Sequence, residues 1–194
     1  MKTVLLVVHL LLGVACQYPF FKSADPLYTA TPLTATNAFT AGTIFAVNFK
    51  AQQTIGRITP AGVSEVFVTL PGASIGNGIR FDREGKMYVA DYTGHNVLRI
   101  DPTTRKIEVF AHEPRMNQPN DLAIAPDATL FASDPNWKEK TGQLWRIDTD
   151  GAVTRLAENM GTTNGIEVSP DGKKLYVNES VQRNVWVFDI QPDG

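Results

Sequence analysis

The feature that most constrains the fold of this chain is a repeat. Three segments of similar plan begin at Asn77, Asn120 and Asn164, so that the leading asparagines lie 43 and then 44 residues apart. In each segment a short apolar run follows the asparagine, a turn rich in Asp, Gly or Pro comes next, and a second alternating run follows the turn. Repeats with a period of about 20–50 residues are typical of folds in which each unit buries its apolar face against its neighbour.

Each repeat unit has the composition of four short strands. In the third strand, an apolar or aromatic residue is followed by a basic one. This strand is predicted at 97–101 and 144–148, and its counterpart in the last unit lies at 185–189. The fourth strand is predicted at 106–110 and 152–156. Four antiparallel strands in about 43 residues are the period of a β-propeller blade. Because no window shows a sustained period of 3.6 residues, we predict an all-β chain made of four-stranded antiparallel blades.

A degenerate unit precedes the three clear ones. Residues 42–48 lie 43 positions before 85–91, and 55–59 and 65–68 continue the same plan. We therefore expect a partial propeller over residues 38–194, with about four blades and an incomplete ring. An open array leaves two blade faces and a sheet edge uncovered. We expect these faces to expose Phe45, Val47, Trp186 and Phe188, and the chain to behave poorly as a soluble monomer.

The N-terminus has the pattern of an export signal. Lys2 precedes an apolar run over residues 4–12, and small residues follow up to Ala15. The run is shorter than the roughly 20 apolar residues of a membrane-spanning helix, so we predict no transmembrane segment. We expect residues 1–15 to be a signal peptide, 16–37 to be a lead-in segment, and the protein to be secreted or periplasmic. Two alternatives stay open: a buried N-terminal strand, and a lipid anchor at Cys16.

Charge and cysteine content exclude two further classes. The chain has 18 Lys and Arg against 20 Asp and Glu, a formal net charge of −2, which argues against nucleic acid as a partner. Cys16 is the single cysteine, so no disulfide can form within the chain.

Two motifs resemble those of a known family. Residues 119–122, Pro-Asn-Asp-Leu, and the segment 163–177 resemble the senescence-marker-protein/gluconolactonase family, also called regucalcin-like lactonases. The resemblance covers residues 38–194. It implies a six-bladed propeller that holds one divalent cation, calcium or zinc, at the top of its central channel and hydrolyses a lactone or ester. It also implies that Asn164 is a metal ligand and that Asn120 contacts the substrate.

The chain departs from the family pattern at two expected metal ligands. The family's first-blade Glu should fall within residues 34–36, which read Thr-Ala-Thr, and no carboxylate side chain occurs between Asp25 and Glu65. The family's later-blade Asp, which the resemblance implies to be a metal ligand and general base, would lie beyond residue 194. Because two neutral amides bind a hard cation poorly, we predict weak or absent cation binding and assign no catalytic residue.

Three hypotheses for the function follow from these observations. The first is a metal-dependent lactone or ester hydrolase that is inactive or impaired in this chain. The second is a non-catalytic propeller that serves as a binding module, and the third is an incomplete gene product. Both asparagines also have a purely structural interpretation, because Asn before Gly or Asp is a common turn pair.

Other polar residues are interpreted as structural. Carboxylates at equivalent strand ends are expected to pack blades or line the rim. The loop before Asn120 is expected to be solvated, and the alternative is that it lines the mouth of the propeller. The G-x-S-x-G pattern at 72–76 lacks the helix that a nucleophile elbow needs. The histidines have no metal-binding spacing. The residues concerned are Asp91, Asp134 and Glu179 for the strand ends, Arg115 and Gln118 for the loop, and His9, His95 and His112.

Overall fold

The computed structural model describes residues 42–48 and 50–192, which belong to one compact unit. The described residues form 14 strands and no helix, which confirms the predicted all-β class. Within that part of the chain, no helix of sufficient length and apolarity to cross a membrane is present. The predicted signal peptide (1–15) and lead-in segment (16–37) lie outside the described residues.

The strands form four antiparallel sheets, one for each predicted blade, and strand order within each sheet follows the chain. This meander is the arrangement of a propeller blade. Blades 2 and 3 have four strands, whereas the described parts of blades 1 and 4 have three. The strands are β1 Ile44–Val47, β2 Thr54–Ile58 and β3 Ser64–Thr69 in blade 1; β4 Gly76–Phe81, β5 Met87–Asp91, β6 Asn96–Ile100 and β7 Ile107–His112 in blade 2; β8 Leu122–Ile124, β9 Leu130–Asp134, β10 Gln143–Ile147 and β11 Val153–Ala157 in blade 3; and β12 Thr163–Val168, β13 Lys174–Glu179 and β14 Asn184–Asp189 in blade 4.

The turn between the first and second strands shows why the repeat keeps its turn residues. Gly85, Ala128 and Gly172 occupy the same place in blades 2, 3 and 4, with φ angles of 80°, 72° and 72°. In each case the backbone N–H donates to the carbonyl three residues earlier, at 3.1, 2.9 and 2.8 Å. Glycine adopts this left-handed conformation readily, whereas an alanine there costs roughly 1–2 kcal/mol. The turn geometry is therefore retained in blade 3 at some cost.

The core lies between the blades. Side chains alternate along a strand, so a middle strand can bury one set of residues against each neighbouring blade. In β5, Met87 and Val89 pack with blade 1, while Tyr88 and Ala90 pack toward blade 3. Trp145 of β10, fully buried, lies in the cluster that joins blades 2 and 3. A third cluster joins blades 3 and 4, and its members include Phe131, Leu144, Ile166, Leu175 and Val177.

The apolar side chains of the two outer blades, 1 and 4, are less exposed than we predicted. Trp186 is 45% exposed, in agreement with the prediction, and its neighbours Val185 and Val187 on β14 are also exposed. The predicted exposure of Phe45, Val47 and Phe188 is wrong, because these side chains are half-buried. The Phe45 ring lies 4.9 Å from that of Phe67, and Phe188 packs against the cluster between blades 3 and 4.

Candidate functional site

The first strands of blades 2, 3 and 4 place the three repeat asparagines at the same end of the propeller. Asn77 and Asn164 lie at the starts of β4 and β12, and Asn120 lies two residues before β8. Hydrogen bonds connect these segments from blade to blade, since Gly78 N donates to Asn120 O at 2.7 Å and the Ser133 hydroxyl donates to Asn164 O. We call this end of the strands the asparagine end.

Asn120 is fixed between two blades by its backbone. The residue is only 8% exposed, its N–H donates to Ser133 O at 2.8 Å, and its carbonyl accepts from Gly78 of blade 2. The main chain of Asn120 therefore cannot shift without separating blades 2 and 3. A predicted substrate contact at this position has a rigid support.

Asn164 is held by two serines. Its side-chain Nδ2 donates to Ser180 Oγ at 2.9 Å, and its backbone carbonyl accepts from the Ser133 hydroxyl. Ser133 is fully buried, and its Oγ also accepts from Asp121 N at 3.1 Å. One serine of blade 3 thus joins the two predicted site segments. The repeat pattern alone does not identify Ser133, because its role depends on a contact with the next blade.

Asp121 is the carboxylate that follows Asn120, and it is already paired. Its Oδ2 accepts from Arg80 Nη2 at 3.1 Å and from Ile166 N at 3.4 Å, and its Oδ1 accepts from Leu122 N at 2.9 Å. Arg80 also lies 3.8 Å from Glu167 Oε2. The carboxylate beside the two asparagines is therefore engaged by a guanidinium rather than open to a ligand.

The described residues do not complete a metal site. Nowhere in the described ranges do three or more His, Cys, Asp or Glu side chains converge so that they could hold a metal ion. Calcium takes about six to eight oxygen ligands, several of them carboxylate oxygens, and zinc takes about four ligands of nitrogen, sulfur or oxygen. Asn120 and Asn164 offer two neutral amides, and Asp121 is bound to Arg80. The assignment of Asn164 to a metal and of Asn120 to the substrate stays a prediction.

Buried carboxylates at the ends of the second strands hold the loops of the asparagine end. Asp134 is fully buried and accepts hydrogen bonds from the backbone N–H groups of Asn117 and Gln118 and from Trp145 Nε1. Burial raises the pKa of Asp134 above its ordinary value, and these three N–H donors oppose that shift. This geometry supports the interpretation of Asp134 as a packing residue.

The equivalent residues of the other blades behave in the same way. Asp91 accepts from Ser74 Oγ at 2.8 Å and from Asn96 Nδ2 at 2.8 Å, and Glu179 accepts from Asn184 Nδ2 at 2.8 Å. Ser74, the serine of the G-x-S-x-G pattern, precedes strand β4 and not a helix. A role for Ser74 as the nucleophile of such an elbow has no support in this geometry.

A cavity of about 650 Å³, which we call the rim cavity, opens at the asparagine end and is lined in part by the loop that precedes Asn120. Three loops from blades 2 and 3 contribute its aromatic, amide and basic side chains: Tyr92, His95, Met116, Asn117, Gln118, Pro135, Asn136, Trp137 and Lys138. Trp137 is 40% exposed, so its ring is open to a ligand. A site that combines an aromatic face with amides suits a small polar ring.

The loop before Asn120 is only partly the solvated loop that we expected. Gln118 is half-buried and lines the rim cavity, which agrees with the alternative that this loop lines the mouth. Arg115 is largely exposed and forms an ion pair with Glu113 at 2.7 Å. The hydrogen bond from Arg115 lowers the pKa of Glu113 to about 2. No local sequence signal distinguishes the two residues, because the cavity is built from loops that are distant in sequence.

Comparison with known proteins places this architecture in a family. Residues 41–194 match the SMP-30/Gluconolactonase/LRE-like region. The chain is 29% identical over 134 residues to the gluconolactonase of Zymomonas mobilis and 26% identical over 111 residues to the pentonolactonase XacC of Haloferax volcanii. These alignments cover 61% and 57% of this chain but only 38% of each relative. The chain therefore spans well under half of either protein.

A solved structure supports the fold. The calcium-binding protein regucalcin from Agrobacterium tumefaciens superposes with a TM-score of 0.64 at 20% identity, over 77% of this chain and 50% of that one. At this identity the likeness concerns the propeller fold alone. The family match covers most of the chain and agrees with the motifs at Asn120 and Asn164. The chain thus belongs to the SMP-30/gluconolactonase/LRE-like family.

Proposed function

We propose that this protein is a lactone hydrolase that binds a small-molecule lactone or ester at the asparagine end. The observation that carries the proposal is the buried side chain of Ser133, whose Oγ accepts from the backbone N–H of Asp121, next to Asn120, and donates to the backbone carbonyl of Asn164, so that the two motif segments of neighbouring blades are held together. The relatives named gluconolactonase and pentonolactonase support the same reaction class. The rim cavity, lined in part by the loop that precedes Asn120, offers room for the ring of such a substrate.

The chain's own residues serve mainly to position the substrate. Hydrolysis of a lactone adds water to the carbonyl carbon and breaks the ring C–O bond, with a proton passing to the leaving oxygen. Asn120 can orient a substrate oxygen from a rigid backbone, and Asn164 presents an amide that Ser180 orients. Proton transfer from water needs a positioned base. Among the described residues next to these amides, Asp121 is held by Arg80, so we expect slow turnover.

A non-catalytic binding module is the second candidate. The pairing of Asp121 with Arg80 favours it, because the carboxylate that directly follows Asn120 is engaged by a guanidinium. The rim cavity, with Trp137 and its amides, would then be the binding surface. In that case the lactone binds and is released unchanged.

We expect the full chain to bind calcium or zinc no more tightly than the millimolar range. The reason is that the described site offers two amides and one paired carboxylate, a poor set for a hard cation. Isothermal titration calorimetry with each ion measures this directly. A one-to-one site of micromolar affinity that disappears in Asn164→Ala would contradict the prediction and restore a complete metal site.

Lactone turnover separates the two candidate functions. If the protein is a hydrolase, we expect it to open a sugar lactone slowly. The rate should fall about 100-fold in Asn120→Ala, because that is the effect of removing one group that orients a reacting oxygen. The matched control is Gln191→Ala, which removes an exposed amide beyond the far end of β14 and should leave the rate unchanged. Measurable lactone binding with no turnover in any variant would favour the binding module.

A further inference from the structure

We propose that Arg80 is the resident cation between the first strands of blades 2, 3 and 4: its guanidinium binds the carboxylate and carbonyl oxygens beside Asn120 and Asn164 that a metal ion would otherwise need. The proposal goes beyond the function proposed above. It concerns the charge balance between these strands and does not depend on lactone hydrolysis.

The contacts of Arg80 span three blades. Arg80 lies on β4 of blade 2, and its Nη2 reaches Asp121 of blade 3 at 3.1 Å. The same nitrogen lies 3.5 Å from Ile166 O and 3.8 Å from Glu167 Oε2, both on β12 of blade 4. Its Nη1 donates to Ile79 O at 3.0 Å. One side chain therefore collects four oxygens around a single positive charge.

These oxygens are the kind that a hard cation prefers. Calcium and magnesium bind carboxylate and carbonyl oxygens, which is the set that faces the guanidinium of Arg80. A guanidinium is always charged in proteins and presents its donors in a fixed fork. A metal ion and the Arg80 side chain would compete for Asp121.

The position of the cluster ties it to the candidate site. Asp121 directly follows Asn120, and Ile166 lies two residues after Asn164. Asp121 is also held by Ile166 N, so the carboxylate is oriented by blades 2 and 4 together. Replacing Arg80, the partner of Asp121, should therefore alter the surroundings of both Asn120 and Asn164.

The repeat plan does not require an arginine at this position. Counting three residues from each leading asparagine gives Arg80 in blade 2, Ala123 in blade 3 and Glu167 in blade 4. Blade packing therefore accepts a small, an acidic or a basic residue there. Only in blade 2 does the residue bring a cation to Asp121, which points to a role for the charge itself.

Partial burial makes the pair between Arg80 and Asp121 more than a surface contact. The two side chains are 27% and 20% exposed, whereas Glu167 is 67% exposed and contributes less. An isolated exposed ion pair adds little to stability, but removing one partner of a shielded pair leaves an uncompensated charge. Without Arg80, the Asp121 carboxylate would lack its positively charged partner. We therefore expect a metal ion to bind there in place of the guanidinium.

The test is the substitution Arg80→Gln in the full chain. We expect this variant to bind Ca²⁺ or Mn²⁺ at least 10-fold more tightly than the unsubstituted protein in titration calorimetry, and its melting temperature to rise when the ion is added. Arg80→Lys keeps the charge and should gain no binding. Adding Asp121→Asn to Arg80→Gln should abolish the gain. Unchanged cation affinity in Arg80→Gln would overturn the proposal, as would micromolar binding by the unsubstituted protein.

A second comparison covers the case in which Arg80→Gln does not fold. The double variant Arg80→Met with Asp121→Asn removes both charges, so the proposal predicts that folding, followed by circular dichroism, largely recovers. Failure to recover would show that Arg80 acts through its shape and not its charge, and would refute the proposal. Neither comparison measures turnover, so a negative lactonase assay leaves this inference unaffected.

Discussion

Replacing Asp134 with alanine should lower the free energy of unfolding by about 3–5 kcal/mol, because it leaves buried donors without an acceptor. Asp134 is fully buried at the end of β9. It accepts from the backbone N–H groups of Asn117 and Gln118 at 2.9 and 2.6 Å, and from Trp145 Nε1 at 2.9 Å. The Trp145 side chain is fully buried in the cluster between blades 2 and 3, so its N–H cannot turn to water without opening that interface.

Urea unfolding followed by tryptophan fluorescence measures the loss. The matched control is Asp127→Ala, which removes an exposed carboxylate that accepts one backbone bond from Thr129 at 3.0 Å. We expect this control to lose about 0.5–1 kcal/mol, the net value of an exposed hydrogen bond. If Asp134→Ala and Asp127→Ala lost the same amount, the strand-end carboxylates would not be stabilising elements.

Asp134 also connects stability with the candidate site. The backbone groups that it holds belong to Asn117 and Gln118, whose side chains line the rim cavity and which lie just before Asn120. The alanine variant should therefore loosen this loop as well as destabilise the fold. The hydrogen bonds of Asp134 thus stabilise the fold and also hold the loop at Asn117 and Gln118 that lines the rim cavity.

Much of the fold could be predicted because its determinants are local. Each blade is a meander of strands joined by short turns, and residues such as Gly85 and Gly172 mark those turns in the sequence. The continuous apolar run at 87–90 is typical of a strand that is buried on both faces, as β5 is. The degenerate first unit was predicted for the same reason, and the structure has β1, β2 and β3 there.

The site was only partly predictable because its contacts join different blades. The motifs at Asn120 and Asn164 identified the segments, and the structure brings both to the asparagine end. Ser133 and Arg80 were missed, since Ser133 meets Asn164 31 residues away and Arg80 meets Ile166 86 residues away. A strand pattern reports which face a residue lies on, but not what the next blade places opposite it.

The closeness of blades 2 and 3 at the site depends on Gly78. Its N–H donates to Asn120 O at 2.7 Å, and a Cβ on this residue would lie 2.5 Å from Asp121 Oδ1, 2.8 Å from Asp121 Cα and 3.0 Å from Asn120 O. The φ angle of Gly78 is not in the left-handed region, so space and not conformation requires the glycine. The glycine of the Asn77-Gly78 pair thus allows two first strands to approach each other.

Gly78→Ala should therefore destabilise the protein by about 2–4 kcal/mol, through overpacking against a backbone and loss of an inter-blade hydrogen bond. The matched control is Gly56→Ala on β2, where an added Cβ meets only Glu65 O at 3.6 Å and Ala46 O at 3.8 Å. That change should be neutral or stabilise by about 0.5 kcal/mol, because glycine weakens a strand interior. Chemical denaturation of both variants decides the matter. Equal stability of the two alanine variants would mean that blade 3 can move away from blade 2 freely, and that the geometry around Asn120 is not set by this contact.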